Sequence, residues 1–397
     1  MCSQYKKGLA LSGGGFRATL YALGTLWRMN EDGILTELDT ITSVSGGSIA
    51  AGLLMLKWNE LNFVKIDARE GRYRATNFKE IIVDPIIDFC SQTITNKSRI
   101  ILHTLNPTTS AVKEVCKKYE KLLFGNICLS DVPDNHLAPE FVFYGTNLDT
   151  GVSVRISKHE IRDYHIGTAI DHKITLAQAV SISSGFPPVL APVTLCGKKW
   201  KWTDSIYSKL PIDHVAHLRE KLNLCDGGLY DNMGLEMIWK HGAHKEYETV
   251  FCCDAGAPLT MRWLGGKLKL TMRMTDIMIN QQRALRKRML MRNYEGKEYD
   301  GSYWSIASQV KNYINASPLL SESEEYKYKH LNMLGTQLDR FSDNDTRMLI
   351  NLGFCHADMC MRQHYDSSIS KPQLPFNIKS ELKKSSDKKI TNTLLKT

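Results

Sequence analysis

The chain has 397 residues, 43% hydrophobic and 23% charged, with a net charge of +9. That is long enough for one large domain or a domain with a helical appendage, and apolar enough to exclude disorder for its bulk. No stretch is apolar enough to span a bilayer, and the opening MCSQYKKGLALSGGG lacks the apolar segment of a secretory signal, so a cytoplasmic protein, at most peripheral at a membrane, is expected.

Lys7 to Ser12 (KGLALS) reads as a short buried strand, Gly13-Gly14-Gly15 as the turn that ends it, and about Phe16 to Asp32 as a helix. Glycines leave backbone N–H groups uncovered, and the helix N-terminus adds unpaired donors and the positive end of its dipole, so the turn suits an anion. Gly13, Gly15 and Ala18 also fit the dinucleotide pattern G-x-G-x-x-A, but that fold needs an acid after its second strand, and Glu37 and Asp39 come before it.

Leu38 to Ser43 is the next predicted strand and Ile49 to Leu56 an apolar helix, with Val44-Ser45-Gly46-Gly47-Ser48 at the corner between them. A serine at a sharp strand-to-helix turn with small neighbours matches a nucleophile elbow, here Ser43-Val44-Ser45-Gly46-Gly47 with Ser43 replacing the usual first glycine. On this segment alone Ser45 serves equally well as a helix N-cap. The glycine turn decides between them. Acyl transfer needs donors for the oxyanion of its tetrahedral intermediate, and Gly13, Gly14 and Gly15 supply them, with Arg17 adding positive charge in the first helical turn.

SGGGFRA followed by TSVSGGS resembles the patatin-like phospholipase family, related to the cytosolic phospholipases. The resemblance implies a third motif downstream, which is present as Asp226-Gly227-Gly228. It further implies a Ser–Asp dyad without histidine, with Ser45 as nucleophile and Asp226 as its base, and with Ser43, Gly47, Gly227 and Gly228 as supporting motif positions. Leu176 to Val189 is similar to the family's helix and loop, and Leu349 to Phe354 with Asp358 to a C-terminal helix of bacterial members. Some bacterial members stay silent until a small-molecule or protein activator binds. The rival mechanism is a histidine triad, for which His214, His217, His241 and His244 lie downstream of Ser45 in no recognisable motif.

The expected fold is α/β, a three-layer α/β/α patatin-like fold with a mostly parallel central sheet and a helical C-terminal extension. The core is placed at 5–260, with 60–135 as a helical insertion, 261–365 as a basic and helical extension packed on the core, and 366–397 as a flexible basic tail. In the insertion, Asp84-Pro85 reads as an N-cap and first-turn pair leading into Ile86 and Ile87. The preferred reading is a buried helix, and a lid is the alternative. Asp254, after the apolar strand Thr249 to Cys253, caps a turn or lines the crevice at the sheet edge.

Between Met261 and Asn293 nine Lys or Arg face one acid, Asp276, with Met and Leu interspersed throughout. The first reading is ordinary helices whose Met and Leu point into the core; the second is a surface that docks on an anionic phospholipid membrane. A nucleic-acid partner is excluded, since no basic run is interleaved with stacking aromatics. Ten cysteines without a CxxC pair read as reduced thiols. Cys355, His356 and Cys360 are spaced so that the sulfurs fall on different helix faces, so neither metal nor cofactor is expected. The function these features imply is a lipid acyl hydrolase of phospholipase A or lysophospholipase type. The alternative is a catalytically silent membrane- or nucleotide-binding regulator on the same fold.

Overall fold

The computed structural model describes residues 6–66, 71–95, 111–187, 190–240, 245–261 and 266–377. Its centre is a mixed sheet. β1 (Lys6–Leu11) lies between β2 (Thr40–Ser43) and β12 (Tyr247–Asp254), with β5 (Glu140–Asn147) beyond β2 and β13 (Asp300–Ser305) beyond β12, all parallel. From β5 outward the sheet turns antiparallel through β6 (Ser153–Ile156), β7 (Ile161–Asp163), β8 (Gly167–Ile170) and β10 (Lys201–Thr203). A separate hairpin, β3 (Phe63–Lys65) with β4 (Tyr73–Ala75), lies in the insertion. β9 (Val193–Leu195) pairs only with β11 (Leu222–Asp226).

The period-two alternation of a strand divides the core. Leu9, Leu11, Phe251 and Cys253 enter a large cluster with α1 (Gly15–Glu31), α2 (Gly46–Lys57) and α9 (Asp343–His364). Ala10, Val250 and Cys252 point the other way, onto Met233, Leu235, Ile238 and Leu290 of α8 (Lys267–Glu295). Strands covered on both faces favour apolar runs, as GLAL in β1 and VFCC in β12 illustrate. Among the described residues the other α-helices are α3 (Asp84–Cys90), α4 (Ala111–Tyr119), α5 (Leu176–Ser183), α6 (Ile212–Glu220) and the single turn α7 (Gly228–Asp231), with one further turn at Glu322–Glu325.

Three expectations change. The sheet does not stop at residue 260: β13 continues it, and α9 packs along α1, so the C-terminal segment is part of the core. Nor does packing end at 366, because Ile369 is buried and the Asn351 side chain both donates to Phe376 O (2.7 Å) and accepts from its N–H (3.0 Å). The rest of that tail, from residue 378, lies outside the described residues. In the insertion Asp84 caps nothing, since helical backbone runs into it from Lys79–Val83; its carboxylate instead takes Lys79 Nζ at 2.6 Å. Ile86 is fully buried, so it faces the core and not a lid surface.

α1 and α9 meet backbone to backbone. A Cβ on Gly24 would lie 2.0 Å from Ile350 O, and one on Gly353 would lie 2.0 Å from Tyr21 O. Gly24→Ala therefore has to part the helices, and a loss of about 1–3 kcal/mol or more is expected. It is read as a lower denaturant midpoint, and an unchanged midpoint would refute the close crossing.

Candidate active site

The corner between β2 and α2 holds Ser45 at φ 51° and ψ −121°, a conformation that costs a non-glycine residue on the order of 1–3 kcal/mol. Its neighbours are small because the chain leaves no room. A Cβ on Gly46 would sit 2.0 Å from Gly15 O, so the elbow and the glycine turn touch directly, and one on Gly47 would sit 2.7 Å from Leu11 O. Ser43, in the place of the usual glycine, uses its hydroxyl: Ser48 Oγ donates to Ser43 Oγ at 3.0 Å and lies 2.9 Å from Ser183 Oγ. Ser183, from α5, in turn accepts the Ser45 backbone N–H at 3.0 Å. Ser45 occupies the N-cap position of α2 but its side chain caps nothing; it lines the same cavity as Asp226 instead.

Sheet geometry brings Asp226 there. β2 pairs with β5 only as far as Phe143, and β6 occupies the other side of β5, so β11, pairing with Gly145 to Asn147, runs down onto the end of β2 from above. Asp226 is its last residue. Gly227 follows because a Cβ there would lie 2.5 Å from Tyr144 O, and the Gly228 N–H then turns back to donate to Asp226 Oδ1 at 2.7 Å. Burial pushes the Asp226 carboxyl up to about 7, although the Gly228 N–H and the Ser45 hydroxyl both pull it down. A carboxyl at that value is divided between base and acid near neutral pH.

The glycine turn departs from expectation at two positions. The Gly13 N–H donates to Asn232 O at 3.0 Å, so it is already engaged. Gly14 (φ 148°) and Gly15 (φ 58°) adopt backbone that L side chains rarely take, and among the described residues no acceptor is bonded to either N–H. Arg17 is fully buried, with its guanidinium donating to the carbonyls of Ala255 and Leu334 and not toward Ser45. Burial first, then the nearby Arg283 charge, lowers its pKa to about 10, while Asp254 opposes the shift. Its Nη2 lies 3.1 Å from where a Gly14 Cβ would stand, so the charge stays beside the turn while the side chain ties the surrounding loops.

Asn232 was not singled out in the sequence. Besides accepting from Gly13, it brings Oδ1 to 2.4 Å from a Gly13 Cβ position and 2.6 Å from that of Gly228, wedging its amide between the turns that hold Ser45 and Asp226. Its only sequence signal is its place six residues after Asp226. Asp254, at the end of β12, is buried and receives Arg283 Nη2 at 2.9 and 2.8 Å, Gly256 N–H at 2.9 Å and Tyr303 OH at 2.9 Å. Burial alone would raise its pKa, but Arg283 holds it below the usual carboxylate range. Asp254 thus caps the turn and anchors α8 as well.

A cavity of about 490 Å³ opens over Ser45 and Asp226, within the usual range for small-molecule sites. Phe186, Leu190, Ile279 and Leu338 give it apolar walls, and α8 contributes Arg273, Asp276 and Asn280. No histidine is among the described residues lining it. His214 and His217 are exposed on α6, and His241 and His244 lie outside the described residues. At the α1–α9 contact, His356 Nδ1 lies 2.8 Å from Tyr21 OH, and Cys355 and Cys360 are buried. No helix among the described residues is long and apolar enough to cross a membrane.

The sequence matches the family described as patatin-like phospholipase over residues 9–239, which take in the glycine turn, Ser45 and Asp226. No protein of curated function matches it. Among solved structures, human GIVD cytosolic phospholipase A2 is similar at a TM-score of 0.51 and 12% identity, over 90% of this chain and 61% of that one. The same human enzyme in complex with methyl gamma-linolenyl fluorophosphonate inhibitor and terbium chloride gives 0.50 and 13%, over 90% and 58%. The chain thus spans about three-fifths of the structures it matches, and at these identities the likeness is one of fold. VipD from Legionella pneumophila covers 91% of this chain and 67% of its own at 14% identity, with a TM-score of 0.37.

Proposed function

The chain belongs to the patatin-like phospholipase family, and from that premise we propose that it is a lipid acyl hydrolase cleaving carboxylic esters of membrane phospholipids or lysophospholipids. Ser45 is the nucleophile, Asp226 its base, and the N–H groups of Gly14 and Gly15 the oxyanion donors. The observation that carries the reading is that the strained Ser45 corner, the buried carboxyl of Asp226 and the glycine turn at Gly14 and Gly15 line one cavity.

In the reaction Ser45 Oγ attacks the ester carbonyl carbon while its proton passes to Asp226. The carbonyl oxygen becomes an oxyanion facing the glycine turn, where removing one donor typically costs on the order of 3 kcal/mol of barrier. Collapse breaks the C–O bond to the glycerol oxygen, which leaves with the proton from Asp226. Water then repeats the cycle on the acyl-serine, giving free fatty acid and restoring Ser45. The apolar walls suit an acyl chain, and an anionic phospholipid surface suits the basic segment that flanks the cavity.

Incubation with mixed phospholipid vesicles in EDTA tests this, with free fatty acid as the readout. Release is expected, together with covalent labelling of Ser45 by a fluorophosphonate. Folded protein that neither releases fatty acid from any phospholipid nor takes the label, with or without added cell extract as a source of activator, would refute it.

A further inference from the structure

A surface helix ordinarily turns its apolar stripe inward and its charges out. α8 largely does the reverse. Beside Leu290, which enters the core, its inner face is polar: Arg283 pairs with Asp254, Arg286 with Glu236 at 2.9 Å, and Gln282 Nε2 donates to Gly228 O at 3.0 Å. Its outer face carries Leu270, Met274, Ile277, Met278, Leu285 and Met289, all exposed and together on one side of the helix, with Gln281, Arg288 and Arg292 in the same register. The helix that walls the cavity on one side thus presents an apolar stripe to solvent on the other. Soluble proteins rarely leave such a stripe uncovered.

We propose that this stripe seats the protein on a bilayer containing anionic phospholipid. The choice of partner rests on the acyl-hydrolase reading and on charge. Lys269, Lys287, Arg288 and Arg292 are exposed beside the stripe, and the segment's one acid, Asp276, lines the cavity. A second copy docked through the same face would bring two strongly basic segments together, whereas anionic headgroups neutralise them. Methionines are flexible and fit fluid acyl chains better than a fixed protein surface.

A second observation comes from strand direction. β7 and β10 run the same way as β5, so the tips that follow them lie at the sheet edge where Ser45 emerges. Those tips hold Tyr164, stacked on Tyr207 at 5.3 Å, and Ile206, which is 87% exposed. A second exposed apolar patch thus lies at the sheet edge that carries Ser45.

The test uses Ser45→Ala, so that binding is read without hydrolysis, and sedimentation with vesicles of phosphatidylcholine alone or mixed with phosphatidylglycerol. Binding to the mixed vesicles is expected to exceed that to the neutral ones by about tenfold or more at low salt, and to fall at high salt. Adding Met278→Asp with Leu285→Asp should weaken it by about tenfold or more at an unchanged thermal midpoint. Lys287→Glu with Arg288→Glu, a second route should the first variant not fold, should erase the preference for anionic lipid. Equal binding to both vesicle types, undiminished binding by the aspartate variant, or a stripe-dependent dimer without vesicle binding would each overturn the proposal. Binding by wild type that neither releases fatty acid nor takes the fluorophosphonate label, with or without cell extract, would leave docking standing and remove the hydrolase reading, and release without stripe-dependent binding would do the opposite.

Discussion

Ser45→Ala is expected to lower fatty-acid release by on the order of 10⁴-fold or more while leaving the fold intact. The size of the loss follows from the mechanism: without Oγ no acyl-enzyme forms, and what remains is whatever the Gly14 and Gly15 donors and the cavity contribute to direct attack by water. The fold should not notice. The hydroxyl caps no helix, and deleting one hydroxyl typically costs about 1 kcal/mol, so the thermal midpoint should move little. A fluorophosphonate should label wild type and not the variant. Substantial residual release would place the nucleophile elsewhere. His214→Ala and His217→Ala, together with changes at His241 and His244, should leave most activity, and abolition by any one of them would restore the triad.

The site was legible in the sequence where contact distance forces residue identity. Gly46 against Gly15 O, Gly47 against Leu11 O and Gly227 against Tyr144 O admit no side chain, so the small residues of the motifs record backbone contacts. What was not legible depends on partners remote in sequence. That Gly13 spends its N–H on Asn232, and Arg17 its guanidinium on Ala255 and Leu334, could be known only once those loops were brought together. The strand β13, DGSYWS, lacks an apolar run and is recruited by its parallel register with β12, so a boundary near 260 was the natural reading of composition alone. The orientation of α8 failed for a different reason. Composition does not say which face of a helix is turned outward: Leu290 enters the core, whereas Leu270, Met274, Met278, Leu285 and Met289 are exposed.

Asp226→Asn should abolish hydrolysis and at the same time stabilise the protein above neutral pH. The catalytic half is direct, since an amide cannot take the Ser45 proton. In wild type, activity on a soluble ester should rise with pH through about 7, as the base form of Asp226 becomes populated. The stability half follows from linkage. The folded-state value of about 7 lies above the unfolded one of about 3.9, so between these values the native state holds the extra proton. The contribution of Asp226 is therefore fully present below about pH 4 and is lost as pH rises through 7. Integrated over the window the loss approaches roughly 4 kcal/mol, an order-of-magnitude figure for a buried group. Asparagine carries no charge and can still accept the Gly228 N–H, so the variant should escape that loss. Its denaturant midpoint should match wild type near pH 4 and exceed it near pH 8. Glu140 and Asp231, also raised by burial, act with the same sign in both proteins, so the difference between them isolates Asp226. A variant no more stable at pH 8 than at pH 4, relative to wild type, would mean that the carboxylate is better solvated than its burial implies, and with that the poised base at the Ser45 corner would be lost.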